Sequence, residues 1–378
     1  MIKNNNAVIF WWPDSVFEDV HWKKDPGSIP LELKNLGYKV ILVVGRFHSH
    51  VRINGVTVFE TQQRETIRSI YNRLISAILL MKLVYLHSPK AIIVEHATFE
   101  GIIFAIFLKI YFVKKKKEIP KLILKLDANP EDARVNNETS TGLIYTWLFS
   151  ILFDNVICES ICAYNELLRP APVSKYNKKY LVIPNGFNNN IQKESIAEKS
   201  ERRKRILSVG RISYQKGHDL LIHIFAKIKD KYPDWELRIV GLSDDHDYLE
   251  NLKKEMTDLK LGDSVKVFTD LTDEEIIREY EGASVFCLLS RWESFGISRI
   301  EAIHYGLPIV ITEAGCGIEY SNFGSLVCNI EDQNCISNAL ETLISNEDLR
   351  GEISEKQKSA ILTWHEVAVK FATAIETK

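Results

Sequence analysis

The chain reads as two doubly wound α/β domains, each a parallel sheet covered by helices. Three observations carry that reading. Short runs of β-branched and aliphatic residues alternate with helical segments along nearly the whole length, the pattern of βαβ units. At 378 residues the chain is too long for one ordinary core. The alternation stops once, at a turn followed by a polar, charged stretch, and then starts again.

The elements follow in order. Residues 7–12 form a short strand, residues 29–36 a helix that closes at Gly37, and residues 38–44 an apolar strand ended by Gly45. Residues 51–53 and 56–59 flank Asn54-Gly55, a hairpin dipeptide, and read as a small hairpin. Buried strands follow at 91–94, 121–126, 155–158 and 180–183. Pro184-Asn185-Gly186 is the turn that ends the first domain (1–184) and opens a linker (185–204). In the second domain (205–360), strands at 205–209 and 235–240 end in Gly210 and Gly241. Helices at 219–231 and 248–259 come next to them, and strands at 265–268, 285–289 and 308–311 complete the sheet. Residues 361–378 hold a C-terminal helix expected to pack back on the first domain. Ligands of such folds bind beyond the carboxyl ends of the strands, so a central cleft between the domains is expected.

A formal charge of −2 argues against nucleic acid as a partner. The six cysteines (Cys158, Cys162, Cys287, Cys316, Cys328 and Cys335) show no zinc spacing and read as reduced core thiols of a cytoplasmic protein. The polar start from Met1 to Asn6 carries no leader pattern, and no run reaches the roughly 18–20 apolar residues that span a bilayer. One segment stands apart. From Ile102 to Val113 the chain is apolar almost all round, and it runs straight into Lys114, Lys115, Lys116 and Lys117. Two readings stand: a buried core helix, or a peripheral contact of Ile102–Lys117 with anionic lipid at the inner face of the cell membrane.

The chemistry concentrates in the second domain. Glu293-Ser294-Phe295-Gly296-Ile297-Ser298-Arg299-Ile300-Glu301 places two carboxylates, with seven residues between them, around a Phe-Gly loop at a helix start. Unpaired N–H groups at such a start, beside a glycine, form a seat for a phosphate. A carboxylate before the seat and another in the first helical turn can accept hydrogen bonds from hydroxyls on either side. A sugar nucleotide has that layout. The plainer reading is a helix N-terminus that carries acids for dipole reasons. After Gly210, Arg211 and Lys216 stand five residues apart and can both reach one diphosphate. Alone they would read as a solvated basic loop. The two loops reinforce each other because both follow strands of one domain.

Gly210-Arg211 with Gln215-Lys216-Gly217, then Val240-Gly241, then Leu288 to Gly296 with Glu301 eight positions beyond Glu293, then Gly306-Leu307-Pro308, resemble family 4 of the retaining glycosyltransferases. Pro184-Asn185-Gly186 and Trp364 resemble that family's linker and C-terminal helix. The resemblance implies the GT-B fold of two Rossmann-like domains and transfer of a hexosyl or N-acetylhexosaminyl group. The donor would be UDP-, GDP- or another nucleoside diphosphate sugar, and the acceptor a lipid-linked saccharide or glycan. It implies that Glu301 binds the ribose, that Glu293 contacts the sugar, and that Phe295, Gly296 and Ile297 hold the distal phosphate through their N–H groups. Arg211 and Lys216 would stabilise the leaving diphosphate, with Gly210 and Gly241 in the donor loops and no metal or other cofactor. Asp245-His246-Asp247 imitates a metal motif within a polar loop.

Two departures concern the first domain. The family has a histidine after the strand that ends here at Leu126, where this chain has Asp127. Asp127 reads either as an acceptor-orienting or proton-accepting group, or as a turn aspartate. His96, after an earlier strand, is a second acceptor-side candidate or a core histidine. The usual glycine pair of the first loop is reduced to Asp25-Pro26-Gly27-Ser28, which leaves Gly27 as the acceptor-side glycine. The competing functions are a sugar-nucleotide epimerase of the same fold and a non-catalytic nucleotide-sugar-binding partner protein.

Overall fold

The structure is a computed structural model that describes residues 6–61, 70–96, 98–115, 118–127, 129–187, 202–243 and 245–377. The chain forms two compact units, Met1–Asn188 with Leu362–Lys378 and Asn189–Ile361.

The first unit holds strands β1 (Ala7–Phe17), β2 (Lys39–Phe47), β3 (Val56–Glu60), β4 (Ala91–Glu95), β5 (Lys121–Leu126), β6 (Asn155–Cys158) and β7 (Tyr180–Val182). They form one parallel sheet in the order β3-β2-β1-β4-β5-β6-β7. Between them run α1 (Asp25–Asn35), α2 (Ile70–His87), α3 (Phe99–Lys115), α4 (Pro130–Glu138), α5 (Ser140–Leu152), α6 (Ile161–Leu168) and the short α7 (Ala171–Ser174). Successive strand residues point to opposite faces, so each strand feeds two cores. Ile9, Ile41, Ile92 and Leu122 face α2, α3 and α5, whereas Val8, Val40, Ile93 and Ile123 face α1. That double burial is why the strands read as continuous apolar runs.

The expected hairpin does not form. Residues 51–53 are not a strand, and β3 pairs parallel to β2, with Val40 opposite Val56. An isolated two-stranded ribbon is marginal, and the open edge of β2 gives β3 both a ladder and an apolar face. The helix expected over 29–36 begins earlier, at Asp25. Gly27 therefore lies in the first turn of α1, and a Cβ there would sit 2.4 Å from the His21 carbonyl oxygen and 2.6 Å from the Trp22 Cα. It is a glycine of close packing.

After Gly186–Phe187 (β8), the second unit presents β9 (Arg205–Val209), α8 (His218–Lys229), β10 (Glu236–Val240), α9 (His246–Asp258), β11 (Val265–Phe268) and α10 (Asp273–Gly282). There follow β12 (Val285–Leu288), α11 (Ile297–His304), β13 (Ile309–Thr312), β14 (Leu326–Cys328), α12 (Gln333–Ser345) and α13 (Glu347–Gln357). Its parallel sheet runs β11-β10-β9-β12-β13-β14. The cysteine expectation fails at one pair. The end of β14 and the first turn of α12 bring Cys328 and Cys335 to a Cα separation of 5.9 Å, and the two form a disulfide. Among the described residues the other four cysteines form no disulfide.

The chain then returns to the first unit. Leu362–Thr363 (β15) pairs parallel to β8, and Thr363 caps α14 (Trp364–Glu376) in a reciprocal box with Glu366. Trp364, Val367 and Phe371 join the α1-side core. A Cβ on Gly186 would lie 2.7 Å from the Trp364 amide nitrogen, so the Pro184-Asn185-Gly186 turn is where this helix docks.

Candidate active site

In the second unit two loops meet beyond the carboxyl ends of β9, β10 and β12. The first carries Gly210, Arg211 and Lys216, and the second carries Glu293 to Ile297. Close approach around these loops needs glycine. A Cβ on Gly241 would stand 1.9 Å from the Gly210 carbonyl oxygen, and one on Gly217, at φ +66°, would stand 2.0 Å from that of Leu289.

The loops are then tied by side chains. Arg291 forks onto Asp219 at 2.9 and 2.6 Å and donates to the Tyr214 carbonyl at 2.6 Å. The Gln215 amide donates to the Trp292 carbonyl at 3.0 Å. Beneath them His218 is fully buried, with Nε2 3.2 Å from the Arg211 carbonyl oxygen. Burial brings its pKa down to about 4, so the ring is neutral and props the Arg211 loop.

Lys216 and Glu293 form an ion pair, with side chains 12% and 8% exposed. Arg211 lies outside that pair and donates to the Gln215 side chain at 3.0 Å. Gly296, at φ +83°, is the N-cap of α11. Among the described residues the N–H groups of Phe295, Gly296 and Ile297 donate to no other group, the arrangement a phosphate would complete. Glu301 is the fifth residue of α11, so it stands in the second turn rather than the first. It accepts a hydrogen bond of 2.9 Å from the hydroxyl of the buried Tyr280. Burial and the Glu301 charge raise that phenol well above its ordinary pKa, which keeps it a donor. Asp245 of the metal-like triplet caps α9 through the Tyr248 N–H, a structural task.

The first unit places a second constellation at the ends of β4, β5 and β6. The Lys125 ammonium, 1% exposed, bonds Asp25 at 2.6 Å, Glu95 at 3.0 Å, Glu159 at 3.1 Å and also Asp127. Burial alone would lower its pKa, but the carboxylates of Asp127, Asp25, Glu95 and Glu159 raise it well above the ordinary range. Burial pushes the Glu95 and Glu159 carboxyls well up against the pull of Lys125. For Asp127 burial also pushes up, but the Lys125 charge and a bond with Glu159 prevail and hold it at about 2. Its other oxygen lies 3.5 Å from His96 Nδ1. His96 holds a left-handed φ of +66°, uncommon for a non-glycine residue, and its ring is 41% exposed. The structure thus brings together the two acceptor-side candidates that the sequence offered separately.

Residues 189–360 match the family described as glycosyl transferases group 1. The second unit belongs to that family. An uncharacterized glycosyltransferase of Haemophilus influenzae is 30% identical over 205 residues, 53% of this chain and 56% of that protein. The chain spans about half the length of the curated relatives it matches. Over the whole chain the fold is the GT-B one. A glycosyltransferase from Rickettsia africae superposes with a TM-score of 0.72 over 99% of this chain and 98% of its own, at 18% identity. Anabaena HepE, solved with UDP and glucose, gives 0.68 over 97% and 99%, at 17% identity.

Within this glycosyl transferase domain the sequence reading missed Arg291, Asp219, His218 and Tyr280. None carries a motif signal of its own, because each serves by gripping another loop residue. Lys125 was missed for a different reason. A single lysine in an apolar strand looks like an edge residue, and only the convergence of four carboxylates from separate segments reveals its place.

Proposed function

We propose that this chain is a family 4 retaining glycosyltransferase that moves a hexosyl or N-acetylhexosaminyl group from a nucleoside diphosphate sugar to a hydroxyl acceptor without a metal. The observation that carries the proposal is the α11 N-terminus, where three N–H groups at Phe295–Ile297, unpaired among the described residues, stand between Glu293 and Glu301 beside the Lys216 ammonium. The distal phosphate sits on these N–H groups, and Lys216 shifts from Glu293 toward it. Glu293 then turns to the sugar hydroxyls, and the Glu301 oxygens take the ribose. As the glycosidic C–O bond breaks, negative charge gathers on the diphosphate, where Arg211 and Lys216 stabilise it.

The acceptor side belongs to the first unit. Asp127, held ionised, orients His96, whose exposed ring meets the acceptor hydroxyl. A lipid-linked saccharide or glycan at the inner membrane face suits the outer surface of this unit. One stripe of α3, with Ile102, Phe104, Ala105, Leu108 and Phe112, is core. The other stripe leaves Ile106, Phe107, Ile110 and Val113 exposed, and α5, which packs on α3, exposes Ile144, Tyr145 and Trp147. The core-helix reading of this segment holds for the first stripe alone. Lys114 is exposed at its end, and Lys116 and Lys117 lie outside the described residues. Among the described residues no helix is long and apolar enough to cross a membrane.

Incubation with a panel of nucleoside diphosphate sugars and lipid-linked acceptors tests the proposal. A glycoside product with the donor's anomeric configuration supports it. An epimerised nucleotide sugar, or binding without turnover, replaces it with one of the two competing functions.

A further inference from the structure

Arg299 is an unexpected residue at the third position of α11. It is fully buried, and its guanidinium makes one hydrogen bond, from Nη1 to the Ala314 carbonyl at 3.1 Å. Among the described residues Nε and Nη2 have no hydrogen-bond partner, and no carboxylate lies within ion-pair distance. Helical side chains lean toward the N-terminus, and this one folds back under the helix cap. A Cβ on Gly296 would lie 2.9 Å from Arg299 Cδ and 3.0 Å from Nε. The charge therefore sits behind the same loop whose Phe295, Gly296 and Ile297 N–H groups are unpaired among the described residues.

A buried ion without a counter-charge is among the costliest arrangements in a protein, and one carbonyl hydrogen bond does not offset it. Leucine or methionine would fill the space without that cost. We infer that Arg299 is a third cation of the diphosphate seat, and that its missing counter-ion is the diphosphate of the bound nucleotide. The inference rests on the donor-site reading above and adds to it a residue that acts through its field. Protein rather than water lies between the guanidinium and the seat, so the attraction is weakly screened. The empty protein carries the strain of the unpaired charge, and binding an anion relieves it.

The test compares wild type with Arg299→Leu, Arg299→Gln and Arg299→Lys in the full chain. Melting temperatures are recorded without ligand, and calorimetric affinities for UDP, GDP, ADP, their monophosphates and inorganic pyrophosphate. We expect Arg299→Leu to melt no lower than wild type without ligand. Its affinity for the preferred diphosphate should fall on the order of tenfold to a hundredfold, with a smaller fall for the monophosphate. Arg299→Lys should stay closer to wild type than Arg299→Gln. Undiminished diphosphate affinity in Arg299→Leu, with wild type binding well, overturns the inference and leaves the donor site standing. So does a large loss of ligand-free stability in both uncharged variants, because it would mean the charge is already paired. Failure of wild type to bind any diphosphate overturns the donor-site reading and this inference with it.

Discussion

Replacing Lys125 by methionine tests the electrostatic core of the first unit. Methionine keeps the length and the apolar stem but removes the one ammonium shared by Asp25, Glu95, Asp127 and Glu159. Breaking a buried ion pair from one side costs about 3–5 kcal/mol, because the remaining charge stays buried without a partner. At about 2–4 °C per kcal/mol for a unit of this size, the melting temperature should fall by about 6–20 °C near pH 7.5. The sign of the pH dependence is a second check. Without the cation the folded-state pKa values of the clustered acids rise, so the folded state binds more protons than the unfolded one. The deficit should then shrink as pH falls from 7.5 toward 5. Scanning calorimetry of both proteins across that range measures it. A drop below about 2 °C, or a deficit that grows on acidification, would refute the claim that Lys125 carries this cluster.

Glu301→Gln and Lys216→Ala should each lower turnover by about 10²–10³, the cost of one lost transition-state contact, with the far-ultraviolet spectrum unchanged; near-normal activity of either contradicts the donor site. Transfer should continue in excess chelator, and loss of activity that magnesium or manganese restores would contradict the role given to Arg211 and Lys216. His218, whose folded pKa lies below its unfolded value, contributes stability above about pH 6.5 that is lost as pH falls toward 4. Its share between pH 7 and pH 5 is about 2 kcal/mol, read as the difference in acid sensitivity between wild type and His218→Gln. The protein should sediment with anionic but not neutral vesicles at low salt, each lysine of 114–117 adding about 1 kcal/mol; changing all four to glutamate should abolish this, and equal recovery from both vesicle types would exclude an electrostatic contact.

The α/β class and the glycine-bearing loops of the second unit were legible because they depend on local pattern. Strands buried on both faces must be apolar throughout, and tight turns at strand ends and helix starts favour glycine, so Gly210, Gly241 and Gly296 stand out without any coordinates. Pairing partners were not legible. Asn54-Gly55 signalled a turn correctly as a dipeptide, yet the next strand joined β2 in parallel because the sheet edge offered more than a hairpin could. Gly27 looked like a loop residue until α1 closed over it against His21 and Trp22. Cys328 and Cys335 carried no redox signal beyond their count, and the approach of β14 to α12 decided their bond. Charge placement was the least legible of all. Whether Lys125 or Arg299 is solvated, paired or stranded depends on groups distant in sequence or on their absence. Composition sets how many charges the chain has, while only packing sets the dielectric around each of them and the counter-charge it meets.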